Sequence, residues 1–335
     1  MSGARSARGS SFDGSALKVL VTGAAGFIGR ALVEHFRELG SEVRGVDLIE
    51  TGHEAHLVAD ITEAGGWQGH AEGCDLVVHT AAVVGMYSSR EGYWETNVAA
   101  TRHALDAAIA ARAKRFVHLS SIVVFGFDFE GEVDERSPVR PNGVHYVDTK
   151  IASEQVVLEA HAEGEIPCTI VRPGDVYGPG SRPWTVEPVR LLKSKQLILP
   201  AGGRGLHSPV YVDDLVDGIV RAAATTEAEG RVFILTGPEK PTIGEFVGHY
   251  CRMLGIDGPR TAPTRVVREV ARAMDLAAKV RGKRSEATPA AIDYFTRRGS
   301  YSIVRAREVL GYEPAHDLDA GMRKTEEWLR AESLI

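Results

Sequence analysis

The chain has 335 residues, 44% hydrophobic and 25% charged, which gives length for one large domain or two modest ones. A net charge of −6 provides no electropositive surface for nucleic acid. The three cysteines (Cys74, Cys168 and Cys251) are odd in number and far apart, and the histidines are scattered. No disulfide framework and no metal site is therefore expected, and a reducing cytoplasm suits the pattern.

No apolar run approaches the roughly 20 residues needed to cross a bilayer, so no integral membrane segment is expected. Residues 1–16, MSGARSARGSSFDGSA, lack the apolar stretch of a secretory signal and read as a disordered leader. From residue 17 the pattern alternates. LKVLVTG (17–23) is a buried strand, and FIGRALVEHFRELG (27–40) an amphipathic helix stopped by Gly40. EVRGVDL (42–48), HLVADIT (56–62) and CDLVVHTAA (74–82) follow as strands, then a helix over 93–113. RFVHLSS (115–121) and CTIVRPG (168–174) are further strands, with a helix opened by YVDTK (146–150) between them. Continuous apolar strands alternating with helices predict an α/β fold, a doubly wound parallel sheet of Rossmann type.

Beyond residue 178 the alternation loosens. GPGSRPW is a loop, and DDLVDGIVRAAATT (213–226) a helix with Asp213 as candidate N-cap. RVFILTG (231–237) is a strand, and the helix over 241–254 opens with Thr242 and Glu245 in capping-box spacing. Residues 17–178 are expected to form the dinucleotide-binding domain. Residues 179–335 are expected to form a smaller, mostly helical substrate lobe, some of whose segments return to the sheet.

In TGAAGFIG (22–29), between the first strand and the first helix, Gly23, Gly26 and Gly29 recur every three residues. A tight turn there brings backbone close to a pyrophosphate, and the helix N-terminus offers free N–H groups and a positive dipole end. Asp47 ends the second strand, where a carboxylate accepts hydrogen bonds from adenosine ribose hydroxyls. Leu48, Ile49 and Glu50 follow, with no arginine for a 2′-phosphate, so NAD is favoured over NADP. Asp60 and Ile61 stand where a carboxylate reaches an adenine amino group, although Asp60 reads equally as the cap of a short turn.

These marks, with HTAA (79–82), Asn97 in TNVAAT, SSIVVFG (120–126), YVDTK and RPGDVYGPG (172–180), resemble the extended short-chain dehydrogenase/reductases, the family of NAD-dependent epimerases and dehydratases. The resemblance covers residues 17 to about 330. It implies that Gly23, Gly26 and Gly29 hold the pyrophosphate turn, with Phe27 and Ile28 giving backbone to the phosphates. It implies room for the cofactor beside Ala81 and Ala82, and a nicotinamide pocket bounded by Pro173 and Gly174. Ser121 matches the catalytic Ser/Thr, Tyr146 the acid/base and Lys150 its partner. Asn97 is placed on the cofactor side, either in a water-linked proton path or at a helix bend.

Two departures bear on substrate. Phe125 replaces a common tyrosine. In HSPVYVDD (207–214), His207, Ser208 and Pro209 replace the Arg-Asp-aromatic segment with which sugar-nucleotide members grip a diphosphate, and Arg204 is out of register. The ending over 300–329 looks like the 3β-hydroxysteroid dehydrogenase-like branch. The stretch 264–280, with arginines at 265, 268 and 272, is read first as a lobe helix packed on the sheet domain. Capping a lipophilic pocket or touching a membrane surface are its other readings.

The expected activity is NAD-dependent interconversion of a secondary alcohol and a ketone on a small-molecule substrate, with Tyr146 as acid/base. The alternatives are a nucleotide-sugar 4-epimerase or dehydratase with transient hydride transfer, and a redox-silent dinucleotide-binding regulator. A homodimer through the helices near 93–113 and 146–162 is what the resemblance implies.

Overall fold

A computed structural model describes residues 16–85, 89–280 and 289–335; residues 1–15 of the expected leader lie outside the described residues. The apolar runs form β1 (Lys18–Thr22), β2 (Glu42–Asp47), β3 (His56–Val58), β4 (Leu76–His79), β5 (Arg115–Leu119), β6 (Cys168–Pro173) and β7 (Arg231–Leu235). They make one sheet in the order β7-β6-β5-β4-β1-β2-β3, every neighbouring pair parallel. Alternate side chains serve opposite faces. Val19 and Val21 pack into one core and Leu20 into the other, as do Leu76 and Val78 against Val77.

Between the strands run α1 (Phe27–Glu38), α2 (Arg90–Trp94), α3 (Ala100–Ala110) and α4 (His145–Ala162). Leu32 and Phe36 of α1 bury themselves on one face of the sheet; Ala104 and Leu105 of α3, with Val157 and Ala160 of α4, fill the other. The helix expected over 93–113 begins earlier, at Arg90, and carries a π turn at Glu95–Ala99 between α2 and α3. The third predicted strand is shorter than 56–62, ending at Val58.

Later segments follow as α5 (Glu187–Lys193), α6 (Val212–Ala224), α7 (Ile243–Met253), α8 (Thr264–Val280), α9 (Pro289–Phe295) and α10 (Leu318–Ala331). The loop expected at GPGSRPW is helical from Arg182, a π turn over Arg182–Val186 feeding α5. Asp213 is not an N-cap. The cap is Tyr211, without a side-chain bond, because Val212 already has a helical place; Asp213 lies in the first turn, where its charge still suits the helix dipole. Thr242 caps α7 and Glu245 closes the box.

The helix at 264–280 packs mainly on α9 and on the turn Pro200–Gly203. Ala271 is buried there, whereas Val266, Val270 and Met274 face outward. The three thiols are all buried. Among the described residues no helix is long and apolar enough to cross a membrane.

Candidate functional site

The strand order reverses between β1 and β4, since the chain builds outward to β3 and then returns to lay β4 on the other side of β1. Crevices beyond the carboxyl ends of strands at such a point are where α/β sheets take ligands. The singled-out residues collect on this edge: the glycine turn after β1, Asp47 at the end of β2, Ala81 and Ala82 after β4, Ser121 after β5, and Pro173 and Gly174 at the end of β6.

Two positions of the glycine turn exclude a side chain. Gly23 has φ +74°, and a Cβ on it would lie 2.7 Å from the Ala81 nitrogen; one on Gly29 would lie 2.0 Å from the Gly23 carbonyl oxygen. The turn is thus pressed against the segment after β4 on one side and the start of α1 on the other. Gly26 gives α1 no side-chain cap, so the first-turn N–H groups, those of Phe27 and Ile28 among them, have no intrahelical acceptor. The Asp47 carboxylate accepts from the Ala25 N–H at 3.0 Å and the Ile49 N–H at 3.1 Å, which fixes the end of β2 against the turn. These features fit a dinucleotide: a cradle that a Cβ would fill, uncapped amides at a helix N-terminus and a strand-end carboxylate.

Asp60 is turned to its own loop, accepting from the Thr62 N–H at 2.9 Å and hydroxyl at 2.7 Å, while Ile61 is buried. Asn97 sits in the π turn. Its Oδ1 accepts from the Val83 N–H at 2.8 Å, and its Nδ2 donates to the Val83 carbonyl at 3.2 Å and the Thr149 hydroxyl at 3.1 Å. It therefore ties the segment after β4 to α4, and both of its N–H groups are engaged there. At the end of β6, a Cβ on Gly174 would lie 2.3 Å from the Ser208 carbonyl oxygen.

Tyr146 opens α4, half-buried, with its phenol near the hydroxyl of Ser121, itself buried at the end of β5. Burial pushes the phenol up to about 12, and the Ser121 hydroxyl works in the other direction. Lys150, one turn further, is buried and donates to the Leu119 carbonyl at 2.7 Å. Burial lowers its ammonium to about 8, and the Glu154 carboxylate works in the other direction.

Under Lys150 lie two stacked imidazoles, His79 and His118, with centroids 5.5 Å apart. Thr101 spends its hydroxyl proton on the Asn97 carbonyl, so it must accept from His79 Nε2, and Nδ1 accepts from Thr22. By the same logic Ser153, donating to the Lys150 carbonyl, accepts from His118 Nε2. Both rings are neutral: burial and the nearby ammonium hold His79 down at about 3 and His118 well below its usual value.

Sequence reasoning passed over three polar neighbours. The Ser120 hydroxyl donates to Glu154 Oε1 at 2.5 Å, and Arg172 grips the same carboxylate at 2.8 and 2.6 Å. The available signals were Glu154 four residues after Lys150 and an arginine inside an otherwise apolar strand. A second buried cluster lies just beyond β6, around Asp175. Asp175 pairs with His207 Nδ1 at 2.9 Å and with Arg297, and accepts from the Tyr294 hydroxyl. Burial alone would raise Asp175; Arg297 and His207 overcome it and hold the carboxyl well below the usual range. Among the described residues no group of three His, Cys, Asp or Glu side chains is placed to hold a metal ion.

The family model described as NAD dependent epimerase/dehydratase family matches residues 19–235. An uncharacterised Escherichia coli protein, YbjS, is 28% identical over 331 residues, covering 94% of this chain and 98% of its own. A 3β-hydroxysteroid dehydrogenase/Δ5→4-isomerase of Mycobacterium tuberculosis is 29% identical over 323 residues, covering 89% of this chain and 86% of its own. Among solved structures, MoeE5 in complex with UDP-glucuronic acid and NAD is similar with a TM-score of 0.77 and 25% identity, covering 94% of this chain and 99% of that one.

Proposed function

From the premise that the chain belongs to the NAD-dependent epimerase/dehydratase family, we propose that it interconverts a secondary alcohol and a ketone. It is an NAD-dependent enzyme of the extended short-chain dehydrogenase/reductase type. The observation that carries the finer reading is the placing of Tyr146 beside Ser121, with Lys150 one helical turn away and bonded to the end of β5. Bound NAD supplies the hydride acceptor or donor. The first-turn amides of α1 at Phe27 and Ile28 would take its phosphates, Asp47 its adenosine ribose, and the walls at Ala81, Ala82, Pro173 and Gly174 its nicotinamide half, with Asn97 behind them holding the segment after β4. Asp60 and Ile61 border the adenine.

In oxidation Tyr146 removes the hydroxyl proton while the Ser121 hydroxyl holds the substrate oxygen; in reduction the phenol returns the proton to that oxygen. A phenol near 12 is ready to act as an acid at neutral pH. Acting as a base there requires about 7 kcal/mol of anion stabilisation, at ~1.36 kcal/mol per pH unit. The Lys150 ammonium, one helical turn away, is the charge this chain brings toward it, and bound oxidised nicotinamide would add its own positive charge.

The substrate walls come from residues beyond 178, and their buried charges favour an uncharged, apolar alcohol. Arg297, a buried cation on that side, and His207, whose imidazole burial lowers toward the neutral form, are already committed to Asp175 inside the protein, so neither is offered whole to a diphosphate. A nucleotide-sugar epimerase or dehydratase is the second reading, favoured by the likeness to MoeE5 with its UDP-glucuronic acid. The test is NADH absorbance on mixing the protein and oxidised NAD with steroid 3β-alcohols, β-hydroxyacyl esters and UDP-sugars. Net NADH formation with an uncharged alcohol supports the proposal. Conversion of a UDP-sugar without net NADH replaces it with the second reading.

A homodimer through α3 and α4 is part of the same reading, because Ile109, Val156 and Leu158 on these helices are only partly covered by their own core. Light scattering at twice the 36.1 kDa chain mass supports it; a monomer mass removes it.

A further inference from the structure

Tyr146, Lys150 and Glu154 recur every four residues along α4 and so stand on three successive turns of one face, about 6 Å apart at ~1.5 Å per residue. The first two face the strand ends. The third is 1% exposed, and its acceptors are filled from two different strands. Ser120, at the end of β5, donates to Oε1; Arg172, at the end of β6, donates from Nε and Nη2 to both oxygens. The arginine lies over the Phe125 ring with its carbon 4.8 Å from the centroid, and its remaining Nη1 has no partner. Ser120 adjoins Ser121, and Arg172 adjoins Pro173. One carboxylate thus touches the immediate neighbours of the residues assigned to substrate oxygen and nicotinamide, from the helix that carries the acid/base pair.

Stability alone gives a poor reason for this arrangement. A buried ion pair is commonly replaceable by apolar side chains at no loss, since desolvation of two charges offsets their attraction. What apolar replacements cannot supply is direction and charge. We propose that Glu154 is a positioning residue for the reaction: its carboxylate locks the ends of β5 and β6 onto α4 and balances the Lys150 ammonium. The groups facing that ammonium are Glu154 and Tyr146 on its own helix, Leu119 and His118 of β5, and His79 of β4, with Arg172 of β6 behind Glu154. Both histidines are neutral, so among the groups named Glu154 is the one that brings a negative charge. The direction of its influence, raising a lysine that burial lowers, agrees.

The inference rests on reading Tyr146 and Lys150 as the acid/base pair, but its test needs no substrate. Full-length protein labelled with 13C at the lysine ε-carbon is titrated by NMR with NADH bound, and Lys150 is assigned by its disappearance in Lys150→Met. Glu154→Gln keeps size and can still bond Ser120 while losing the charge. Its expected effect is a fall of the Lys150 midpoint by about one pH unit or more, the scale of one neighbouring charge in a protein interior. Glu154→Asp, which keeps the charge, should recover most of that shift. Ser120→Ala, which loses only a hydroxyl, should leave the midpoint in place.

If Glu154→Gln does not fold, Arg172→Met, which removes the cation paired with Glu154 and leaves its negative charge, should move the Lys150 midpoint the other way, upward. A variant that melts earlier yet titrates Lys150 at the wild-type midpoint overturns the proposal and leaves Glu154 a packing residue. Failure to find any oxidisable alcohol counts against the proposed reaction alone, and the Lys150 titration stands apart from it.

Discussion

Tyr146 combines two requirements that pull apart. Burial keeps its phenol protonated, up at about 12, while the neighbouring Ser121 hydroxyl favours the anion. Replacing Tyr146 by Phe removes the proton carrier and little else. Turnover should fall about a thousandfold, the usual scale for a positioned acid/base, while NADH binding measured by fluorescence stays within about twofold, as it must if the residue acts in the chemical step. Comparable turnover in that variant would remove Tyr146 from the mechanism. Tyr146 and Lys150 were legible because a fixed spacing on a helix survives in sequence. Ser120, Glu154 and Arg172 were not, since 34 and 18 residues separate the partners and only folding brings them together. A glutamate on an amphipathic helix ordinarily reads as solvated.

Local elements show where periodicity suffices and where it fails. The glycine turn was readable from spacing, and its geometry gives a sharp test. Gly29→Ala puts a methyl 2.0 Å from the Gly23 carbonyl oxygen, inside any van der Waals contact. The turn must open, and NADH affinity by titration should fall at least about tenfold, a loss of ~1.4 kcal/mol; unchanged affinity would mean the cradle is not the phosphate site. The π turn at Glu95–Ala99 was not readable, because one extra residue per turn leaves the apolar pattern of the helix nearly intact. Its purpose lies outside the helix, in presenting Asn97 to Val83. Asn97→Ala strands the Val83 N–H and carbonyl, and denaturant unfolding should show a loss of about 1–3 kcal/mol. Asp213 misled for a related reason. Its neighbour Asp214 is the one with a structural task, accepting from the Ala315 and His316 N–H groups of the segment before α10.

At the scale of the molecule, the doubly wound parallel sheet follows from strand and helix alternation, whereas the buried charges around Asp175 depend on partners far apart in the chain. Those buried groups set the response to acid. His79, held down at about 3, and His118, also well below its usual value, stay neutral in the folded protein but take up protons when unfolded below about pH 6.5. Folding stability is then lost as pH falls from about 6.5, at up to ~1.4 kcal/mol per pH unit for each histidine. Asp175 adds a second phase. Its carboxyl is depressed in the fold, so its contribution is complete above about pH 4 and is lost below it. Melting temperature against pH should therefore fall in two steps, and His118→Asn should make the upper step shallower. An unchanged upper slope in that variant would contradict the neutral-imidazole assignment.

The three buried thiols lie in separate places: Cys74 just before β4, Cys168 at the start of β6 and Cys251 within α7. Burial pushes Cys168 up to about 12 and raises the other two, so the closed protein presents almost no thiolate to a reagent. Each alkylation event must wait for its own neighbourhood to open. The chain thus carries three internal stopwatches, one before β4, one in β6 and one in α7, whose labelling rates time regional breathing without any engineered probe.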